Sequence, residues 1–159
     1  MPIIIDGYNL LWAVQKVGHT HEAITEVQLC HVVGRYIRAT GEKGEIVFDG
    51  AGPPEKTRFD NITHLEVSFS GLAADADKVI EDKIKASTAP KNLTVVSSDR
   101  QVRAAAHARK AQTLKSEVFW QKLTAELTRT RPAEEPPAKR WGLTDVETEH
   151  WMKFFGIEP

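Results

Sequence analysis

The sequence predicts an α/β fold built on a mainly parallel central sheet, and three observations predict it. Short β-branched runs alternate along the chain with stretches of helical period. Several runs are apolar almost throughout, as strands buried on both faces are: Ile3-Ile4-Ile5, Ile46-Val47-Phe48 and Leu93-Thr94-Val95-Val96. Three of them deliver an aspartate at or just past their carboxyl end: Asp6, Asp49 and Asp99. In a parallel sheet with right-handed crossovers those ends share one edge, the edge where ligands bind.

The first strand, Ile3 to Asp6, is followed by Gly7, which lets the backbone turn tightly, and by Asn9, which can cap a helix or point back towards Asp6. Asn9 to Lys16 reads as a short helix, broken at Gly18 and His19-Thr20-His21. Glu22 to Arg38 reads as a longer helix with Ile24, Val27, Cys30, Val33 and Ile37 on its buried face; Gly41 and Gly44 end it. A strand over Glu45–Phe48 and a Gly/Pro-rich loop follow. Leu65, Val67 and Phe69 alternate with polar residues, as in an edge or half-buried strand. The next helix starts near Ala73 and runs to Ile84, with acidic residues in its first turns. Asp77 shares a face with Ile80, Glu81 and Ile84 by helical spacing, so it turns towards the sheet and needs a partner such as a cation. After the strand ending at Val96, Ser98 and Gln101 fit a capping box for a helix to Lys110. Gln112 to Leu114 is a short fifth strand, and Ser116 to Thr128 a helix.

The chain divides into a domain over 1–130, a proline-rich linker over 131–142 and a closing amphipathic helix over 143–159, which carries Trp151, Met152, Phe154 and Phe155. At 159 residues with ordinary apolar and charged fractions it is long enough for a real core, and its net charge of −1 argues neither for nor against nucleic acid. Cys30 is the only cysteine, which excludes an internal disulfide. The histidines lack zinc spacing. There is no basic-flanked secretory segment and no run approaching the ~20 apolar residues of a membrane span, so a cytoplasmic location and no membrane partner are expected.

Asp6, Asp49, Asp77 and Asp99 brought to one edge would repel one another and raise each other's pKa unless cations occupied the site. Oxygen ligands of this kind fit Mg²⁺ or Mn²⁺. Such ions assist hydrolysis of a phosphate ester, with one carboxylate available as general base. A basic stretch begins beside Asp99, and Arg100, Arg103, Lys110 and Lys115 in it form a plausible phosphate track for an RNA substrate.

Four pieces occur in order: Ile5-Asp6-Gly7-Tyr8-Asn9, Val47-Phe48-Asp49-Gly50, Ala76-Asp77-Lys78-Val79-Ile80-Glu81, and Val95-Val96-Ser97-Ser98-Asp99-Arg100. Together they resemble NYN-domain proteins of the YacP-like branch, within the PIN-like nucleases, and Ser116-Glu117-Val118-Phe119 resembles the family's last block. The resemblance implies a PIN-like three-layer α/β sandwich and a divalent-metal-dependent endoribonuclease. It implies metal or water ligands at Asp6, Asp77 and Asp99, with Asn9, Asp49 and Ser98 supporting them. Asp75 lies two residues before Asp77, so either could face the metal. Two rival readings are an NYN module that binds RNA without cleaving and a metal-dependent phosphatase of small substrates. A haloacid-dehalogenase-like enzyme needs a second Asp where this chain has Tyr8, and a Rossmann site needs a G-x-G-x-x-G run that is missing. The last helix packs on its own domain or docks onto a partner such as a ribosome, another RNA-processing protein or a second copy.

Overall fold

The computed structural model describes residues 2–17, 24–60, 62 and 64–129. The expected linker over 131–142, the closing helix over 143–159 and the break at His19-Thr20-His21 lie outside those residues.

Five strands form one sheet: β1 (Pro2–Asp6), β2 (Lys43–Phe48), β3 (Leu65–Phe69), β4 (Thr94–Val96) and β5 (Gln112–Leu114). Their order is β3-β2-β1-β4-β5, and every pairing is parallel. Five α-helices connect them: α1 (Gly7–Val17), α2 (Glu26–Thr40), α3 (Ala76–Ala86), α4 (Arg100–Ala108) and α5 (Ser116–Arg129).

Alternation along the strands splits the core in two. Ile3, Ile5, Ile46, Phe48 and Val96 face one layer with α1, α2 and α5; Ile4, Val47 and Val95 face the other with α3 and α4. The result is a three-layer α/β/α sandwich. β1 lies at the centre, buried on both faces, which is why Ile3-Ile4-Ile5 is apolar without a break. β3 is an edge strand and shows the polar alternation expected of one. The chain leaves β1 towards β2 and β3 over one face, then returns past β1 to β4 through α3 on the other. Consequently α1 and α4 leave the neighbouring strands β1 and β4 to opposite faces of the sheet. This divergence opens a crevice at the carboxyl ends of the two strands, the usual ligand position in open α/β sheets.

Several boundaries differ from expectation for identifiable reasons. α2 begins at Glu26 rather than Glu22, because Thr25 and Gln28 form a reciprocal capping box there. Gly41, with φ +74, ends α2, whereas Gly44 does not terminate the helix but belongs to β2. α3 begins at Ala76, three residues later than expected, because Asp75 caps it by accepting from the Lys78 amide at 2.8 Å. α4 is capped by Asp99 and not by a Ser98–Gln101 box; Asp99 Oδ1 accepts from the Gln101 and Val102 amides at 2.9 and 3.1 Å. Gly7 is required for close packing: a Cβ there would run into the fully buried Phe48 ring. Cys30 is buried, and burial pushes its thiol far up, so it is a packing residue.

Candidate active site

β1 places the Asp6 carboxyl, only 7 % exposed, at the mouth of the crevice. Ser97, fully buried at the end of β4, donates its hydroxyl to Asp6 Oδ2 at 3.0 Å and accepts from the Asp99 amide at 3.0 Å. One serine therefore links the Asp6 carboxylate to the turn that presents Asp99. Burial is the main reason the Asp6 carboxyl is pushed up to about 6. The Ser97 hydroxyl and the Asn9 backbone amide hold it down, while the charges of Asp77 and Asp99 raise it further. Asp77 is raised too, first by burial and then by Asp99, Asp75, Glu81 and Asp49. These mutual effects place Asp6, Asp77 and Asp99 in one electrostatic neighbourhood.

The remaining candidates do structural work at the same edge. Asp49 Oδ1 accepts from the Ala76 amide at 3.0 Å and the Ser70 hydroxyl at 3.3 Å, tying the end of β2 to the start of α3. Asp75 is exposed and engaged as the α3 cap, so Asp77 is the residue of the two that turns towards Asp6. Asn9 does neither of the things expected of it. Its Oδ1 accepts from the Ser98 amide at 2.8 Å and the Ser116 hydroxyl at 2.6 Å, joining α1, the β4–α4 turn and α5. The Ser98 hydroxyl in turn accepts from the Ser116 amide at 3.0 Å and donates to Glu117 Oε2 at 2.8 Å. The Glu117 carboxyl is held low by its own amide and by Ser98, with help from Lys16 and Lys115. Ser97, Ser116 and Glu117 lie in the stretches that resemble the family, but the sequence assigned them no role at the site. The signal for the last two was present, since β5 is a parallel strand and the residues after it must reach the same edge.

Arg100 and Arg103 open α4 beside Asp99, and Lys115 follows β5, so all three stand at this edge. Arg103 is half-buried, and its Nε has no hydrogen-bond partner among the described residues. Lys110 does not belong with them. α4 runs away from the site, and Gln112, two residues beyond Lys110, bonds to Leu93 at the amino end of β4. An open hollow of about 440 Å³ lies between the Asp49–Gly50 turn and the Gly71–Asp75 loop, lined by Asp49 and Asp75 but not by Asp6, Asp77 or Asp99. A larger cleft, about 800 Å³, lies at the opposite edge beside the Lys83–Glu45 ion pair (2.6 Å) and holds none of these carboxylates.

The chain matches the model of the YacP-like NYN domain over residues 3–152. It belongs to the YacP-like NYN domain family. The family is of nuclease type. The match runs past the quoted motifs and well into the last 30 residues. The NYN fold here is similar to two crystal structures of Rae1 (YacP) from Bacillus subtilis. One has a TM-score of 0.63 at 20 % identity, covering 98 % of this chain and 92 % of that one. The other, of a W164L mutant, has a TM-score of 0.59 at 19 % identity, covering 86 % of each. No curated protein matches the sequence.

PIN-like nucleases usually use divalent metal ions. Among the described residues of this NYN domain, no three His, Cys, Asp or Glu side chains form a closed ligand group. The donor chemistry nevertheless fits a hard cation. Asp6 and Asp77 are destabilised as carboxylates by burial and by their neighbours, which a cation would relieve. Mg²⁺ commonly keeps several waters and takes only one or two carboxylates directly, so a gapped set of oxygens suits it.

Proposed function

We propose that this NYN domain is a divalent-metal-dependent endoribonuclease working in the crevice between β1 and β4. The observation that carries the reading is Asp6: a buried carboxyl at that crevice, next to two further acids, with no cationic side chain among the causes that set its ionisation. Asp6, Asp77 and Asp99 are the residues that would hold Mg²⁺ or Mn²⁺. Bound there, the ion would activate water and offset charge on the phosphodiester. Ser97 fixes the Asp6 carboxylate through a hydroxyl bond to Oδ2, so the group is held in one orientation at the crevice. Asn9 and Ser98 lock the turn that carries Asp99, and Asp49 holds the start of the helix that carries Asp77. Arg100, Arg103 and Lys115 stand where a polyanionic backbone would cross the edge.

A second reading, an NYN module that binds RNA without cutting it, is favoured by the absence of a closed three-carboxylate group among the described residues. Incubating labelled single-stranded RNA with purified protein in Mn²⁺, Mg²⁺ or EDTA separates the two. The nuclease reading expects metal-dependent cutting that Asp6→Asn, Asp77→Asn and Asp99→Asn each reduce more than ~100-fold, beyond the usual effect of outer-shell partners. Asn caps helices as well as Asp does, so Asp99→Asn removes charge while keeping the start of α4. Salt-sensitive RNA retention with no cutting in any metal would establish the second reading instead.

A further inference from the structure

Three large hydrophobic side chains stand exposed among the described residues: Trp12 at 60 %, Leu72 at 92 % and Val118 at 41 %. Their placement is not scattered. Leu72 lies on the loop that leaves β3, Val118 in the first turn of α5 after β5, and Trp12 in the second turn of α1 after β1. All three therefore sit on segments that leave the acidic edge of the sheet.

Trp12 is the one with a built surround. Asn9, Trp12 and Lys16 recur at i, i+3 and i+7 and share a face of α1. Asn9 is bonded to Ser98 and Ser116, and Lys16 acts electrostatically on Glu117, as Lys115 does. The indole thus lies between a residue of the crevice and a cation, about 7–8 Å along α1 from its start at Gly7, at ~1.5 Å per residue. Nothing among the described residues buries it there, since the core face of α1 is supplied by Leu10, Leu11, Ala13 and Val14.

We propose that Trp12 is a stacking platform for an unpaired nucleobase, with Lys16 and Lys115 taking the adjoining phosphates, so that the preferred substrate is single-stranded RNA. An exposed aromatic ring flanked by cations beside a phosphodiester site is the arrangement by which proteins hold single strands without reading sequence. A base inside a duplex has no free face to offer it. This inference rests on the RNA reading above and specifies which form of RNA the site accepts.

The test is equilibrium binding of a fluorescent single-stranded RNA and of a duplex of equal length. It is run in Mg²⁺ with full-length Asp6→Asn protein, carrying Trp12, Trp12→Ala or Trp12→Phe. Trp12→Ala is expected to weaken single-strand binding about 5- to 150-fold, which corresponds to ~1–3 kcal/mol of stacking. Trp12→Phe should restore most of that loss, and duplex binding and Tm should not move. Unchanged single-strand affinity in Trp12→Ala, with the parent protein binding well, would overturn the platform and leave the RNA reading standing. A drop in Tm would show that the indole is covered by this chain or by a second copy, and would overturn it too. Failure of the parent protein to bind either RNA would remove both readings together.

Discussion

At the scale of single residues, Asp6 concentrates the conflict between function and stability. Its carboxyl titrates near pH 6 in the folded chain, against 3.8 ordinarily. The folded state therefore holds a proton that the unfolded state has released between those values. The stability Asp6 contributes is complete below about pH 4 and is lost as pH rises through 6. At neutral pH the buried charge costs roughly 3 kcal/mol, taking ~1.4 kcal/mol for each tenfold change in proton affinity. Asp6→Asn should thus be more stable than the natural chain by on the order of 1–3 kcal/mol at pH 7.5, and equal to it below pH 4. Urea denaturation at the two pH values checks this. Mg²⁺ added at pH 7.5 should raise the Tm of the natural chain more than that of Asp6→Asn, because the variant has lost one of the repelling carboxylates and keeps only the repulsion around Asp77 and Asp99.

At the scale of elements, the site is held by the Asn9 side chain more than by any ion pair. Its amide oxygen takes donors 89 and 107 residues away in sequence, from the turn before α4 and the start of α5. Asn9→Ala strands the Ser98 amide and the Ser116 hydroxyl at once, and should cost ~1–3 kcal/mol. The same substitution should weaken cleavage by loosening the Asp99 turn, read as a lower midpoint in urea and a lower kcat. The element order was legible in the sequence, because β-branched runs and glycine or capping punctuation are local signals. The gathering of strand-end aspartates on one edge was legible too, since it follows from parallel strands alone. The role of Asn9 was not, because a side chain's partner a hundred residues away leaves no local mark. Lys110 was misplaced for the converse reason: closeness to Arg103 along the chain says nothing once a helix has carried it to the far edge. Ser98 looked like a cap and yielded that place to Asp99, whose carboxylate lies one residue closer to the helix it caps. The exposure of Trp12 depends on what surrounds α1 and could not be read from its helical pattern.

At the scale of the whole molecule, Asp6 has an opposite number in His31. That imidazole is buried in α2, and burial together with the Arg58 charge lowers it to about 4. The unfolded chain takes up a proton near 6.5 that the folded chain refuses until about 4. The contribution of His31 is therefore present above 6.5 and lost as pH falls through 4. Over that same window Asp6 moves stability the other way. The natural chain should show a nearly flat Tm between about pH 4 and 6.5, whereas Asp6→Asn should lose on the order of 3 kcal/mol on acidification across it. A Tm series against pH in both proteins decides the matter, and a flat profile in the variant would show that His31 is not the counterweight. The central position of β1 has a further outcome during synthesis. Its neighbour β4 is translated about ninety residues after it, and the Ser116 that Asn9 grips later still. Until then a nascent chain carries Asp6 and Asp77 without Asp99 or the turn that presents it, at a synthesis rate of ~5–20 residues per second. The acidic crevice closes only after nearly the whole domain has emerged, so an unfinished copy carries the carboxylates without the pocket that gathers them.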